Sequence, residues 1–145
     1  MKTRHIITLM ATAFALLLAS CDVHTSDNGK LDGMWHLVGV DTLDGGHLDL
    51  SSQTKFWMFQ ANLMQLSNTN RGELIICRFN QSGDSLTVSE PRVNDRNVGD
   101  TLITNPAELS PYGINALRET FFIEILQTDK MILRTERLTL NFKKF

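Results

Sequence analysis

The residue that comes nearest to a reactive group in this sequence is Cys77, one of only two cysteines. It lies within residues 74–79, LIICRF, an apolar stretch in which a thiol usually serves as a small buried hydrophobe. A nucleophilic cysteine needs a nearby base or cation to lower its pKa, and the adjacent Arg78 points to the opposite face if this stretch is a strand. The pattern favours a structural Cys77, and a catalytic Cys77 is the weaker interpretation.

The histidines and acids offer little metal chemistry. After residue 20 the histidines are His24, His36 and His47, and two imidazoles from paired strands make an incomplete zinc site. The acids around Gly45-Gly46 are too sparse for a calcium loop. The sequence contains no nucleophile elbow, phosphate loop or zinc-binding helix motif. We therefore predict no metal, no cofactor and no enzymatic activity.

The N-terminus carries a different kind of chemistry. Lys2 and Arg4 precede an uncharged apolar run over residues 6–18, which is shorter than the roughly 20 residues that a membrane-spanning helix needs. Such a run is typical of a secretory signal. Residues 18–21, Leu-Ala-Ser-Cys, resemble the lipobox of bacterial lipoproteins, which implies that residues 1–20 are a cleaved signal peptide and that Cys21 is lipidated. The alternative is an ordinary secreted protein.

A lipidated Cys21 implies a membrane-anchored protein of the cell envelope, and we expect the outer membrane rather than the inner one. Two or three acyl chains, at about 0.8 kcal/mol per buried methylene, suffice for stable anchoring. Residues 22–30 are polar and lack apolar periodicity, so residues 21–30 are predicted to be the lipidated cysteine and a flexible tether. With Cys21 acylated, Cys77 has no cysteine left with which to form a disulfide.

The charge balance argues against nucleic acid as a partner. The chain has 14 Lys and Arg against 16 Asp and Glu, a formal net charge of −2, and loss of the signal peptide makes it more acidic. The basic residues are scattered and form no phosphate-binding stripe. The length predicts one domain, over residues 31–145.

Almost every segment after Lys30 has the pattern of a short strand, bounded by polar turns. The predicted strands cover residues 34–41, 55–60, 62–66, 72–80, 84–90, 120–127, 130–136 and 137–145. No long helical pattern links them, so parallel crossovers are not expected. The sequence therefore predicts an all-β, antiparallel, up-and-down barrel of about eight strands, in which the last strand closes the sheet.

The segment over residues 91–119 interrupts this pattern. Asn105, Pro106 and Glu108 have the spacing of a helix N-terminus, and Pro111 and Gly113 would end that helix, which predicts one short helix near residues 105–113. A connection this long is uncommon in a compact domain and is often functional. A lid or plug that closes one end of the barrel explains it equally well, and both interpretations stay open.

A motif at the start of the first strand points to a family. Leu31, Gly33 and Trp35 resemble the first motif of lipocalins, small antiparallel barrels that carry apolar ligands. Together with the lipobox and the meander of strands, residues 31–145 resemble the lipocalin-like domains of bacterial envelope lipoproteins. The resemblance implies that Trp35 packs across the closed end of the barrel under a basic side chain from a late strand, for which Arg134 and Arg137 are the candidates.

The same resemblance implies a small apolar or amphipathic ligand. An eight-stranded barrel is just wide enough to be filled by side chains or to hold one small ligand, so the fold does not decide between them. Candidate pocket residues are Met58, Met64, Phe121 and Met131, three of them flexible thioethers that adapt to variable guests. The alternative is a filled barrel that acts as an interaction or assembly module for another envelope protein. An empty apolar cavity would favour the first function and an exposed apolar patch the second.

Overall fold

A computed structural model of the chain describes residues 26–95, 97 and 99–145. The predicted signal peptide over residues 1–20 and the predicted lipidation site Cys21 lie outside the described residues. The strands are β1 (Gly33–Thr42), β2 (His47–Asp49), β3 (Lys55–Gln60), β4 (Leu63–Asn68), β5 (Glu73–Ser82), β6 (Ser85–Val93), β7 (Thr101–Leu102), β8 (Glu119–Leu126), β9 (Lys130–Arg134) and β10 (Leu138–Lys144). No helix in this described part of the chain is long and apolar enough to cross a membrane.

Eight of these strands close into an antiparallel barrel. The order around the barrel is β1-β3-β4-β5-β6-β8-β9-β10, and β10 pairs back onto β1 from Trp35 opposite Lys144 to Thr42 opposite Leu138. The predicted all-β barrel, closed by the last strand, is confirmed. Closure pairs the first and last strands along most of their length, so neither is left as a free edge there.

Two short strands are absent from the sequence prediction. The first, β2, pairs with β1 where the sequence indicates only a hairpin loop, and its three residues are all exposed. The second, β7, places Leu102 beside Arg92 of β6. The two strands have only three and two residues, which is too short for an alternation of apolar and polar residues to identify a strand in a sequence.

The long connection between β6 and β8 folds over one end of the barrel. Two successive 3-10 helices, Pro106–Glu108 and Ser110–Tyr112, confirm the short helix predicted near residues 105–113. Asn105 caps the first by accepting a hydrogen bond from the Ala107 amide at 3.1 Å. We call residues 103–114 the plug, because Leu109, Tyr112 and Ile114 belong to the buried core.

The two ends of the barrel are therefore different. The mouth carries the plug and the β4–β5 turn over residues 69–72. The closed end carries the short 3-10 helix Gly29–Leu31, which precedes β1, together with the β3–β4 turn at Ala61 and the β5–β6 turn at Gly83. Between the two ends, alternate residues of every long strand point inward, as a period of two requires.

Gly33 is required where the chain enters the barrel. Its φ of +104° is one that side-chain-bearing residues rarely adopt, and an added Cβ would lie 3.1 Å from Lys144 Cε. We expect Gly33→Ala to lower the free energy of unfolding by about 1–3 kcal/mol, through backbone strain and displacement of Lys144. Urea denaturation measures the loss.

Gly45→Ala is the matched control for this substitution. Gly45 also has a positive φ, +86°, but nothing lies within 4 Å of its added Cβ. Gly45→Ala should strain the backbone without crowding a neighbouring side chain. It should therefore lower the free energy of unfolding by less than Gly33→Ala does. An equal decrease in the free energy of unfolding for the two variants would show that crowding against Lys144 is not a reason for glycine at position 33.

Candidate functional site

The interior of the barrel is filled by its own side chains. Trp57 stands near its centre, edge-on to Phe121 and Phe142, with ring centroids 5.5 Å and 5.0 Å away. The largest interior side chains are at most 2% exposed, even to a molecule as small as water, which leaves no room beside them for a ligand. They are Trp35, Leu37, Trp57, Phe59, Met64, Leu66, Leu86, Phe121 and Phe142. Such packing is expected for a small eight-stranded barrel.

The four candidate pocket residues lie in two different environments. Met64, Phe121 and Met131 belong to this interior, each with 0% of its surface accessible. Met58 lies on β3 between Trp57 and Phe59, which both point inward, so its side chain projects from the outer face. The structure therefore places three of these residues in a packed core and the fourth outside it.

At the closed end, Trp35 is buried beneath a lysine. Its indole Nε1 donates to the Leu31 carbonyl oxygen at 2.8 Å, and Lys144 Nζ lies 4.2 Å from the ring centroid, a cation–π contact. The basic side chain over Trp35 is thus Lys144, and neither Arg134 nor Arg137 as the sequence suggested. Arg134 lies instead over Phe122, on the outer face.

Lys144 also fastens the chain that enters the barrel. Its ammonium group donates to the carbonyl oxygens of Lys30, at 3.0 Å, and of Asp32. Burial lowers the pKa of Lys144, while the Asp32 carboxylate acts in the opposite direction. One lysine on the last strand therefore joins the tryptophan, the entry segment and the closing strand.

The entry segment itself is held by a set of hydrogen bonds that we call the clasp, formed by Ser26, Asn28, Asp32 and Ala61. The Asp32 carboxylate accepts from the Asn28 amide at 2.9 Å, from Asn28 Nδ2 at 2.7 Å and from Ser26 Oγ. Asn28 Nδ2 donates to the Ala61 carbonyl oxygen at 2.8 Å, and Ser26 Oγ accepts from the Ala61 amide at 2.7 Å. Residues 26–30, predicted as part of the tether, are thus bonded to the β3–β4 turn.

At the mouth, the plug is bonded to the centre of the barrel. Trp57 Nε1 donates to the Tyr112 carbonyl oxygen at 3.1 Å. Gly113 follows with φ +83°, and its Cα faces Leu140 so closely that an added Cβ would lie 2.6 Å from Leu140 Cδ2. A side chain at Gly113 would therefore require either Leu140 or the plug to move.

The Tyr112 hydroxyl is the one polar side-chain atom in the described residues that is fully buried with no hydrogen-bond partner. Burial and the negative charge of Glu73 raise the pKa of Tyr112 to about 12, and the positive charge of Arg71 acts against them. The phenol is therefore neutral at pH 7 and available as a donor. Leaving such a group unpaired costs about 1–3 kcal/mol, and because Tyr112 is only 1% exposed its hydroxyl is closed off from the surface.

A cleft of about 700 Å³ lies between the plug and the adjoining β5 and β6 ends. Its apolar wall is formed by Leu74, Ile75, Val93, Ala107 and Pro111. The charged residues Arg71, Glu73, Asp95 and Glu108 also line it. Glu73 and Arg71, whose charges act on the Tyr112 phenol, thus also line the cleft.

A row of polar side chains crosses the inner rim beside this cleft. Asn68 of β4 is paired with Lys55 on one side and with Glu73 on the other. Paired residues share a face, and Lys55 has the same parity as the inward-pointing Trp57. Burial and the charge of Arg71 lower the pKa of Lys55. The mouth therefore combines an apolar wall with both signs of charge.

Cys77, His36 and His47, which the structure describes, form no reactive arrangement. Cys77 is 1% exposed, and burial raises its pKa to about 12, so its thiol is neutral. His36 pairs with the Gln53 carbonyl oxygen and His47 with Asp41, each at 2.5 Å. Over residues 26–95, 97 and 99–145, no three histidine, cysteine or acidic residues are placed to hold a metal ion.

Sequence reasoning missed Lys144 and Tyr112. The register of β10 against β1 decides which basic residue reaches Trp35, and a sequence does not display register. A signal for Tyr112 existed: it is the only tyrosine in the chain, and it stands between Pro111 and Gly113 in a loop with apolar residues at 109 and 114.

Comparison with known proteins supports the architecture. The profile of a family described as a lipocalin-like domain matches residues 16–145. The crystal structure of a lipocalin-like protein from Bacteroides uniformis ATCC 8492 is 21% identical and superposes with a TM-score of 0.60 over 81% of this chain and 100% of that one. That of an uncharacterized protein from Bacteroides eggerthii DSM 20697 is 21% identical, with a TM-score of 0.58 over 79% and 99%. No curated protein matches the chain.

The cation–π contact at the closed end has a measurable effect on stability. We expect Lys144→Met, which keeps an apolar stem of similar length, to lower the free energy of unfolding by about 1–3 kcal/mol, because it removes the contact with Trp35 and two hydrogen bonds. Lys143→Met changes an exposed neighbour on the same strand and should cost less than about 0.5 kcal/mol. Similar losses in the two variants would contradict this role of Lys144.

The clasp should weaken in acid. Burial alone would raise the pKa of Asp32, but hydrogen bonds from Ser26 and Asn28 and the charge of Lys144 outweigh it and hold that pKa below its usual value. A carboxyl group whose pKa is lower in the folded state stabilises the fold above its unfolded pKa of about 3.9, and that contribution is lost as the pH falls through the folded value.

Asp32→Asn should therefore be less stable than the unmodified protein above about pH 5, with a difference that shrinks as the pH falls below about 4. Urea denaturation across this pH range measures it. Asp27→Asn, at an exposed position next to the clasp, is the control and should shift the unfolding free energy by less than about 0.5 kcal/mol. A difference for Asp32→Asn that stays constant with pH would show that the carboxylate charge has no part in the clasp.

Proposed function

The chain belongs to the lipocalin-like domain family, and from that premise we propose that it is a lipid-anchored envelope protein that binds a small amphipathic molecule at the mouth of its barrel. The proposed anchor is an acylated Cys21, which the lipobox-like residues before it support. The proposed binding site is the cleft beside the plug. The packed interior argues against a ligand at the barrel centre.

The observation that carries this proposal is the cleft itself, whose lining joins apolar and charged side chains of the plug and of β5 and β6. Ligand sites usually have volumes of about 300–1,000 Å³ and combine apolar walls with a few polar groups that orient the ligand. A cleft of about 700 Å³ with Leu74, Ile75 and Val93 in its wall and Arg71 and Glu73 among its lining residues has this composition. A ligand with an apolar body and a polar or charged head would match this lining.

A second candidate function is supported by the apolar residues at the same end. Leu74, Val93 and Leu102 are 37%, 38% and 47% exposed, respectively, and lie on adjoining strands. Contiguous exposed apolar surface often marks a protein–protein contact. In this alternative the filled barrel is a scaffold that presents its mouth to another envelope protein.

Native mass spectrometry of the protein, after incubation with an extract of bacterial envelope lipids and metabolites, tests ligand binding. We expect an added mass that is lost on denaturation. Independently of any ligand, Tyr112→Phe should be no less stable than the unmodified protein, because it removes an unpaired buried group.

Val93→Asp tests the apolar wall of the cleft, and Leu48→Asp is its matched control. Both replace an exposed apolar residue, but Leu48 lies on β2, away from the cleft. Only Val93→Asp should abolish the added mass. A bare protein mass in every extract would reject the ligand-binding proposal and leave the interaction module as the better one.

A further inference from the structure

The described chain begins at the closed end of the barrel. The clasp bonds Ser26 and Asn28 to Ala61, in the turn between β3 and β4. That turn lies at the opposite end of β4 from the β4–β5 turn, which belongs to the mouth. Any anchor before residue 26 is therefore connected to the end of the barrel that is farthest from the cleft.

The connection is short. Cys21 and Ser26 are separated by five peptide links in the sequence, which reach about 18 Å when fully extended. The barrel is taller than that reach. Ten-residue strands such as β5 run for about 33 Å, which at the usual tilt of 35–45° gives a height of about 25 Å. An inverted barrel, with its mouth against the membrane, would carry the clasp beyond the reach of the lipidated cysteine.

From these two lengths we infer that the barrel stands with its closed end on the bilayer that holds the acyl chains of Cys21, and that its mouth faces away from that bilayer. The inference rests on the proposed acylation of Cys21. The occupant of the closed-end surface is the lipid headgroup layer, within about 18 Å of the clasp.

The surface chemistry of the closed end is compatible with this position. It presents Lys30, Lys130 and Lys143 together with Asp27, Asp84 and Asp129, so the two signs balance and do not repel anionic headgroups. Phe145 is 82% exposed beside it and adds an aromatic side chain of the kind that favours membrane interfaces. The short connection, rather than charge, fixes the orientation.

The orientation determines the route by which a ligand reaches the cleft at the mouth. A cleft that faces away from its own membrane receives a ligand from the aqueous compartment or from a second protein that docks there. It does not receive one by lateral diffusion in the bilayer that anchors it. This deepens the proposed function, because the ligand must be able to leave a membrane or arrive in a carrier.

Two cysteine variants at opposite ends of β4 test the orientation. Asn62→Cys labels the β3–β4 turn and Asn70→Cys the β4–β5 turn, and both asparagines are exposed. The native Cys77 is buried and should not react with a maleimide dye. The acylated full-length protein is placed in phosphatidylcholine–phosphatidylglycerol vesicles that contain a rhodamine-labelled lipid, and energy transfer from the dye to that lipid is measured. We expect several-fold more transfer from residue 62 than from residue 70.

A lengthened connection is the control. Inserting about 30 glycine and serine residues between Thr25 and Ser26 gives a coil of roughly 30 Å, long enough for the barrel to turn over, and should remove most of the difference. Equal transfer from both positions in the unmodified length, or more from residue 70, would overturn the inference.

Failure of the proposed anchor can be distinguished from failure of the proposed orientation. Mass spectrometry of the N-terminal peptide and flotation with the vesicles report acylation, and Cys21→Ser should abolish both. A protein that carries no acyl chain and does not float would refute the proposed anchor and with it the orientation. An acylated, floating protein with equal transfer from the two positions would refute the orientation alone.

Discussion

The hydrogen bond from the Trp57 indole to the Tyr112 carbonyl oxygen links the core of this barrel to its plug. A tryptophan at the centre of an eight-stranded barrel fills the interior, but it also brings a polar N–H into an apolar environment, where an unpaired donor is costly. The plug supplies the missing acceptor. Because that acceptor is a main-chain atom of the plug, packing of the core and closure of the mouth depend on each other.

The second tryptophan serves the opposite end in a similar way. Trp35 donates to Leu31 in the entry segment, while Lys144 covers its face and binds the same segment. Each indole therefore fastens an irregular stretch of chain to one end of a regular sheet. The two ends differ in what remains unsatisfied. Among the described residues, the one fully buried polar side-chain atom without a partner, the Tyr112 hydroxyl, belongs to the plug at the mouth.

The sequence predicts the barrel well because alternation, polar turns and the capping residues near Asn105 are local signals, and each of the eight predicted barrel strands is present in the structure. What it does not predict depends on register or on the path of a loop. Lys144 rather than Arg134 covers Trp35 because of how β10 is aligned with β1. The outward direction of Met58 follows from the parity of Trp57, and the clasp pairs Asn28 with a turn that is 33 residues away.

The closing contact between β1 and β10 also has a consequence for how the chain folds. Asp41 and Asn141, bonded across it, are 100 residues apart in sequence. Contacts of such long range make folding slow, and β1 lacks its closing neighbour until β10 has been made. Until the last strand emerges the sheet stays open and its core incomplete. The barrel can therefore be completed only after the ribosome has synthesised nearly the whole domain.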